Sequence, residues 1–280
     1  METNEIQKTL LNRLVLLQKA YEKNLNKIKE SFDDEAIHDF RVAIRRLLSF
    51  IRFIENFCSI ENNINLRKLL KSNIKQFNKL RDTQVQIQYL INFIKKFPET
   101  IEFLVFLKKK EKKQIQKLKK IINSPNFDHS GEIFYYRIQL KPLECFKKID
   151  LKSINAVLND AFREVETCIS NIVENDFSTF HKTRLAFKRF RYTVETIENI
   201  LSIPKAKLKE LQNVQTVLGE IQDFTVTIAL LEKFSKEEVS KYSNFVEFIK
   251  QKREEKVNEF WTMLSILEFW SDFCRENFVN

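Results

Sequence analysis

His38-Asp39-Phe40-Arg41-Val42-Ala43-Ile44-Arg45-Arg46 is matched 143 residues later by His181-Lys182-Thr183-Arg184-Leu185-Ala186-Phe187-Lys188-Arg189. Both segments read H-x-x-R-φ-A-φ-[RK]-R, where φ is apolar, and together they hold two of the chain's three histidines. Their apolar residues recur at helical spacing, so each segment reads as an amphipathic helix with a basic column on one face. On a wheel of about 100° per residue, Arg41, Arg45 and Arg52 fall within about 60° of His38, and Arg46 flanks them at about 80°. Ala43, Leu47, Phe50, Ile51, Ile54 and Phe57 take the other side. The second segment repeats the column with His181, Arg184, Lys188 and Arg191, flanked by Arg189. It differs in that Leu48 stands where Arg191 stands, and Glu195 stands where Arg52 stands.

The repetition extends outward from these segments. Ile54-Glu55-Asn56 returns as Ile197-Glu198-Asn199 at the same shift of 143. The run from Asn78 through Leu80-Arg81-Asp82 to Val85 returns at Gly219–Val226 with a shift of 141, and Phe103, Phe106 and Leu107 return as Phe245, Phe248 and Ile249 with a shift of 142. Concordant shifts of this kind signal internal duplication. The expected fold is all-α: two duplicated four-helix bundle units, 1–123 and 149–280, related by a pseudo-twofold axis, with a basic groove or pore between them. Residues 124–148, with Pro125, Gly131, Pro142 and the cluster Phe134-Tyr135-Tyr136, read as the connector. Helices are expected over 3–30, with Thr3 as N-cap, and over 34–58, 62–96, 98–123, 150–174, 178–202, 204–234 and 236–275.

Composition agrees with a helical chain. Two glycines and four prolines in 280 residues leave few hairpin signals. The four cysteines, Cys58, Cys145, Cys168 and Cys274, show no C-x-x-C pair. That pattern predicts reduced thiols and a cytoplasmic protein. Met1–Glu5 carries acids and no apolar run, so no signal peptide is expected, and no stretch is apolar enough to span a bilayer.

The formal charge of +10 favours anionic partners. Cations at i and i+4 repel one another. Few acids share the two columns, and a solvated face is the alternative reading of each column taken alone. Two matched columns point to one negative ligand, and arginine's planar fork suits phosphate. The helix over 62–96 adds Arg67, Lys71 and Lys75 on the face of Asn78 and Asp82, with Arg81 beside them. Asp82 and Asp223 are expected to orient a cation by hydrogen bonds. His129, outside the repeat, reads as structural. A metal site is not expected, because neither His38 nor His181 has a His, Cys or acid at i+3 or i+4. If the two paired histidines meet phosphate, binding strengthens as pH falls from about 8 to 6.

The doubled motif, with Leu80-Arg81-Asp82 and its counterpart Leu218-Gly219-x-x-Gln222-Asp223, resembles the CHAD domain, the conserved-histidine α-helical domain, over essentially the whole chain. The resemblance implies two four-helix units with a basic groove or pore that binds inorganic polyphosphate, and association with polyphosphate granules. It carries the binding role to His38, Arg41, Arg45, Arg46, Arg81, His181, Arg184, Lys188, Arg189 and Arg191, and Arg52, Lys71 and Lys75 join them as binding candidates from their places on the basic helix faces. It implies no cofactor. Some members are fused to a triphosphate-tunnel hydrolase, but no E-x-E-x-K element occurs here, so a stand-alone binding module is expected. Non-specific binding to nucleic-acid phosphates is the runner-up, without a helix-turn-helix, zinc-finger or RNA-binding signature to support it. An enzyme of phosphate chemistry would need a P-loop or a carboxylate cluster for Mg²⁺, and neither is evident. A protein-interaction bundle built on the 26 phenylalanines is the fourth reading; phenylalanine more often marks core.

Overall fold

The computed structural model describes residues 2–58, 63–235 and 239–279, and every regular element among them is helical. The first helix, α1 (Thr3–Glu30), buries Ile6, Leu10, Leu14, Leu17, Tyr21, Leu25 and Ile28, a stripe spaced by three and four residues. Next, α2 (Asp34–Ile54) starts where the Asp33 carboxylate accepts from the Ala36 N–H at 2.8 Å. It is followed by α3 (Asn63–Phe93) and, after a 3₁₀ turn at Pro98–Thr100, by α4 (Ile101–Ile122). The connector folds into α5 (Ser130–Leu140) and α6 (Glu144–Lys147). Then come α7 (Leu151–Ser170), opened by an Asp150/Ser153 capping box, α8 (Phe177–Ile197), capped by Asp176, and α9 (Lys205–Ser235). The chain ends in α10 (Ser243–Thr262) and α11 (Ile266–Val279).

Helices α2 and α8 have 21 residues each and α3 and α9 have 31 each, at the offsets of the sequence repeat. α2 packs against both α3 and α8, α8 against α9, and α3 against α9, so the two basic helices meet in the middle of the fold. Arg46 Nε lies 3.4 Å from Glu195 Oε2, and Arg52 faces Arg189 across the same contact. A shift of 143 residues turns Arg46 into Arg189 and Arg52 into Glu195. This is the reciprocity that a twofold arrangement of the two helices would produce.

One apolar cluster runs through both halves of the chain. Phe40 sits at its centre, 5.4 Å from the rings of Tyr21 and Phe77 and 5.8 Å from that of Phe127. A second cluster joins the ends of α3 and α4 to α9 and α10, with Phe97 on Phe245 at 5.3 Å and Phe103 on Phe234 at 5.1 Å. Each fully buried phenylalanine contributes about 1.5–3 kcal/mol, which identifies these rings as core. No helix among the described residues is long and apolar enough to cross a membrane.

Four expectations are corrected. Thr3 is the first helical residue and Glu2 occupies the cap position, with no side-chain cap hydrogen bond. Helix α2 ends at Ile54 and α3 spans Asn63–Phe93, both shorter than expected; residues 59–62 lie outside the described chain. The single helix expected over 236–275 is two. The chain turns at Met263–Ser265 so that Phe260 packs on Phe187 while Trp270, fully buried, packs on Phe190 at 5.1 Å. One straight helix could not bury both. The fourth correction is chemical: Cys58 and Cys145 form a disulfide, with Cα atoms 5.6 Å apart across 87 residues of sequence, while Cys168 and Cys274 are free. Only the folding back of the connector brings Cys145 to the end of α2, so sequence spacing held no sign of the pair. Cys58→Ser is expected to lower the unfolding free energy by about 4 kcal/mol under oxidising conditions. An unfolding midpoint equal to that of the oxidised parent would show that the bridge does not form in solution.

Candidate functional site

Between α2, α3 and α8 lies a cavity of about 290 Å³. Six cations line it: Arg45, Arg52, Arg67, Lys71, Lys188 and Arg189. Behind it sits Arg41, 6% exposed, which the wheel had assigned to an open stripe. Helix α2 packs face-on against α3 and α8, and that packing covers the centre of the stripe. Arg41 donates through Nε and Nη2 to Asn78 Oδ1 at 3.2 and 3.0 Å, and Arg45 Nη2 donates to the same oxygen at 3.1 Å. A single amide oxygen thus fixes two guanidinium groups. Arg184, on α8 beside Gly219 of α9, acts on Lys188 and Arg45 without lining the cavity, and its buried Nε has no partner among the described residues. A buried donor without a partner costs about 1–3 kcal/mol until something accepts from it.

The electrostatics follow from cations gathered with few acids. Burial pulls the Lys188 ammonium down to about 6, and Arg45, Arg184, Arg41 and Arg191 push it the same way. Burial pulls Arg41 down to about 9, Arg45 adds to the effect, and Asp82 opposes it. Arg45 and Arg52 are lowered too, again first by burial. Asp223 is raised to about 6 by burial, against the lowering effect of Arg184. Neither Asp82 nor Asp223 makes a side-chain hydrogen bond or an ion pair among the described residues, contrary to the expectation that they orient the cations. Asn78 does that for Arg41 and Arg45. At the mouth, Arg67 pairs with Glu55 and Arg189 with Glu164. Arg81 is half-buried near Arg41 and Asp223, and Lys75 is exposed one helical turn from Lys71.

The remaining candidates lie elsewhere. His38, Arg46 and Arg191 line a separate groove of about 760 Å³ against α1 and α9. There Glu195 accepts from Arg191 Nη1 at 2.6 Å as well as from Arg46, and Arg191 Nε donates to Gln215 Oε1 at 2.7 Å. His38 is exposed, with Nδ1 3.4 Å from Asp39 Oδ1. His181 Nδ1 sits 2.7 Å from Gln222 Oε1 on α9. The contact between α2 and α8 cuts across the columns, so residues that share one helix face open onto two separate pockets.

The CHAD domain family matches residues 16–232. The chain belongs to the CHAD family. Its fold is similar to the crystal structure of the CHAD domain from the plant Ricinus communis, at 18% identity and a TM-score of 0.71, covering 94% of this chain and 91% of that one. It is also similar to PptA from Streptomyces chartreusis, at 12% identity and a TM-score of 0.69, covering 95% and 99%. A comparison with curated proteins finds no match.

In this CHAD chain, the doubled motif supplies Arg45, Lys188 and Arg189 of the six cavity cations, and other residues hold them in place. Tyr192 hydrogen-bonds Arg45 and lies under Arg191, whose guanidinium carbon is 4.5 Å from the ring centroid. Nothing in the motif pointed to Tyr192, whose counterpart at the 143-residue shift is Ser49. Asn78 and Arg67 were legible on the face of the helix expected over 62–96, but their roles depend on how α3 packs against α2. Chemically, the site offers guanidinium and ammonium donors in a half-enclosed space with too few carboxylates to neutralise them.

Proposed function

We propose that this CHAD chain binds inorganic polyphosphate, without turnover, in the cation-lined cavity between α2, α3 and α8. The observation that carries the reading is the cluster of buried Arg41 with half-buried Arg45, Arg184 and Lys188, which makes no ion pair with a carboxylate among the described residues. Cations so placed repel one another, and a chain of phosphates would offset that repulsion by attracting each of them. The family resemblance points to the same ligand, and to polyphosphate granules as the place where the protein acts. The cavity lining also favours phosphate over nucleic acid. Its one aromatic residue, Tyr192, is buried, so no ring is free to stack a base. The chain carries no P-loop, and the carboxylates near the cations are Asp82 and Asp223, with Glu55 and Glu164 already paired to Arg67 and Arg189 at the mouth, which is why binding rather than phosphoryl transfer is proposed.

The test is a competition at moderate salt. Labelled long-chain polyphosphate is bound first, then challenged with duplex DNA, single-stranded RNA and ATP at equal phosphate concentration. Polyphosphate is expected to hold, and the combined Arg41→Ala, Arg45→Ala, Arg184→Ala and Lys188→Ala variant is expected to lose binding while keeping its helicity. Displacement by DNA or RNA would make the site a general polyanion surface. Undiminished affinity in the folded variant would remove the cavity from the mechanism.

A further inference from the structure

Outside the cavity, the densest charge is on α4. Between Lys108 and Lys120 it carries eight lysines against one acid, Glu111. Seven of the eight are exposed and Lys110 is half-buried. No ion pair is made by any of them among the described residues, and only Lys119 meets a ring, lying over Phe32 at 5.6 Å. Lys109, Lys110, Lys113 and Lys117 line a shallow groove of about 420 Å³. Within the fold, α4 packs mainly on α3, leaving this outer face without a partner.

A solvated lysine face is common by itself. This one is set apart by its position. Gln114 Nε2 donates to the Lys79 carbonyl at 3.3 Å, which fixes the middle of α4 beside that turn of α3. Lys79, Lys75 and Lys71 stand one turn apart on α3, all exposed, and Lys71 lines the cavity. Lys71 to Lys79 covers about 12 Å along α3, and Lys109 to Lys117 covers about 12 Å along α4. The residue types change along the way. Four of the six cavity cations are arginines, Arg45, Arg52, Arg67 and Arg189, where bidentate contact needs a rigid fork. Flexible lysines lie outside, where only charge is needed.

We infer that Lys71, Lys75, Lys79 and the outer lysines of α4 form one track that carries a linear polyphosphate chain onward from the cavity. The inference rests on the polyphosphate reading of the cavity and adds a chain-length dependence to it. Chains that outrun the cavity gain contacts that short ones lack. A nucleic-acid strand is the less favoured occupant, because Phe106 is the one aromatic in the groove and no ladder of rings follows the lysines.

The test compares tripolyphosphate with long-chain polyphosphate, using a variant that carries Lys79→Gln, Lys110→Gln, Lys113→Gln and Lys117→Gln together. All four sites are at least half-exposed, and circular dichroism checks the fold. The variant is expected to keep its tripolyphosphate affinity and to lose about tenfold in long-chain affinity, with the slope of log K against log salt reduced by about three. Unchanged long-chain affinity, or equal losses for both ligands, would overturn the track. So would loss of single-stranded RNA binding with polyphosphate binding intact. If the parent protein binds neither phosphate ligand, the cavity reading itself fails, and that shows before the variant is made.

Discussion

Polyphosphate affinity is expected to fall by about tenfold or more between pH 6 and pH 8, and the side chain responsible is Lys188 rather than either paired histidine. In the free protein the Lys188 ammonium is held down to about 6. The groups that face it are Arg41 and Arg45 from α2 and Arg184 and Arg191 on its own helix, with Lys71 and Arg67 from α3 lining the same cavity. A bound phosphate chain supplies the missing negative charge, so the bound state takes up a proton above pH 6. Binding coupled to proton uptake weakens as pH rises, by up to about tenfold per unit. Lys188→Arg should flatten the profile, because a guanidinium stays charged across this range. The double variant His38→Gln/His181→Gln should retain the slope. A flat profile in the parent, or loss of the slope in the histidine variant, would reject this assignment.

Removing charge from the cluster should stabilise the empty protein while destroying binding. Lys188→Met combined with Arg45→Met is expected to raise Tm by about 5 °C without ligand, in line with buried charges replaced by apolar groups of similar size. The same variant should lose about 100-fold or more in polyphosphate affinity, from two charged hydrogen-bonding groups. The sign can be checked against pH. The folded pKa of Lys188 lies below that of the unfolded chain, so the unfolded chain binds more protons from about pH 6 up to the ordinary lysine range near 10.5. Stability of the parent through this group therefore rises with pH across that window, and the advantage of the variant should shrink toward pH 10. Thermal unfolding at pH 6, 8 and 10 measures it. A lower Tm for the variant at pH 6 would mean that the cluster stabilises the empty fold and that the cations are already neutralised within it.

The helices were legible because apolar spacing is a local property. The apolar spacing of Ile6–Ile28 located α1 to within a residue at its start, and the repeated segments located α2 and α8 to within a few residues. What failed were the points where distant parts of the chain compete. The break at Met263–Ser265 exists because Phe260 and Trp270 pack on different stretches of α8, and no local signal records that. The Cys58–Cys145 bridge was missed for the same reason: it depends on where the connector returns.

The amino-acid sequence by itself determined an all-helical chain, the doubled H-x-x-R-φ-A-φ-[RK]-R element, the excess of cations on two helices, and through these the family. Each follows from residue identity and periods of a few residues. Tertiary structure alone decided which of those cations share a space. Packing α2 against α3 and α8 buried Arg41 and half-buried Lys188, gave Arg45 and Arg41 a common anchor in Asn78 of α3, and sent His38, Arg46 and Arg191 to a separate groove. A helix wheel gives the direction of a side chain from its own axis. The charge state of Lys188 and the reach of the site depend on how four helices α2, α3, α8 and α9 are set against one another, and that is fixed only when their apolar faces pack.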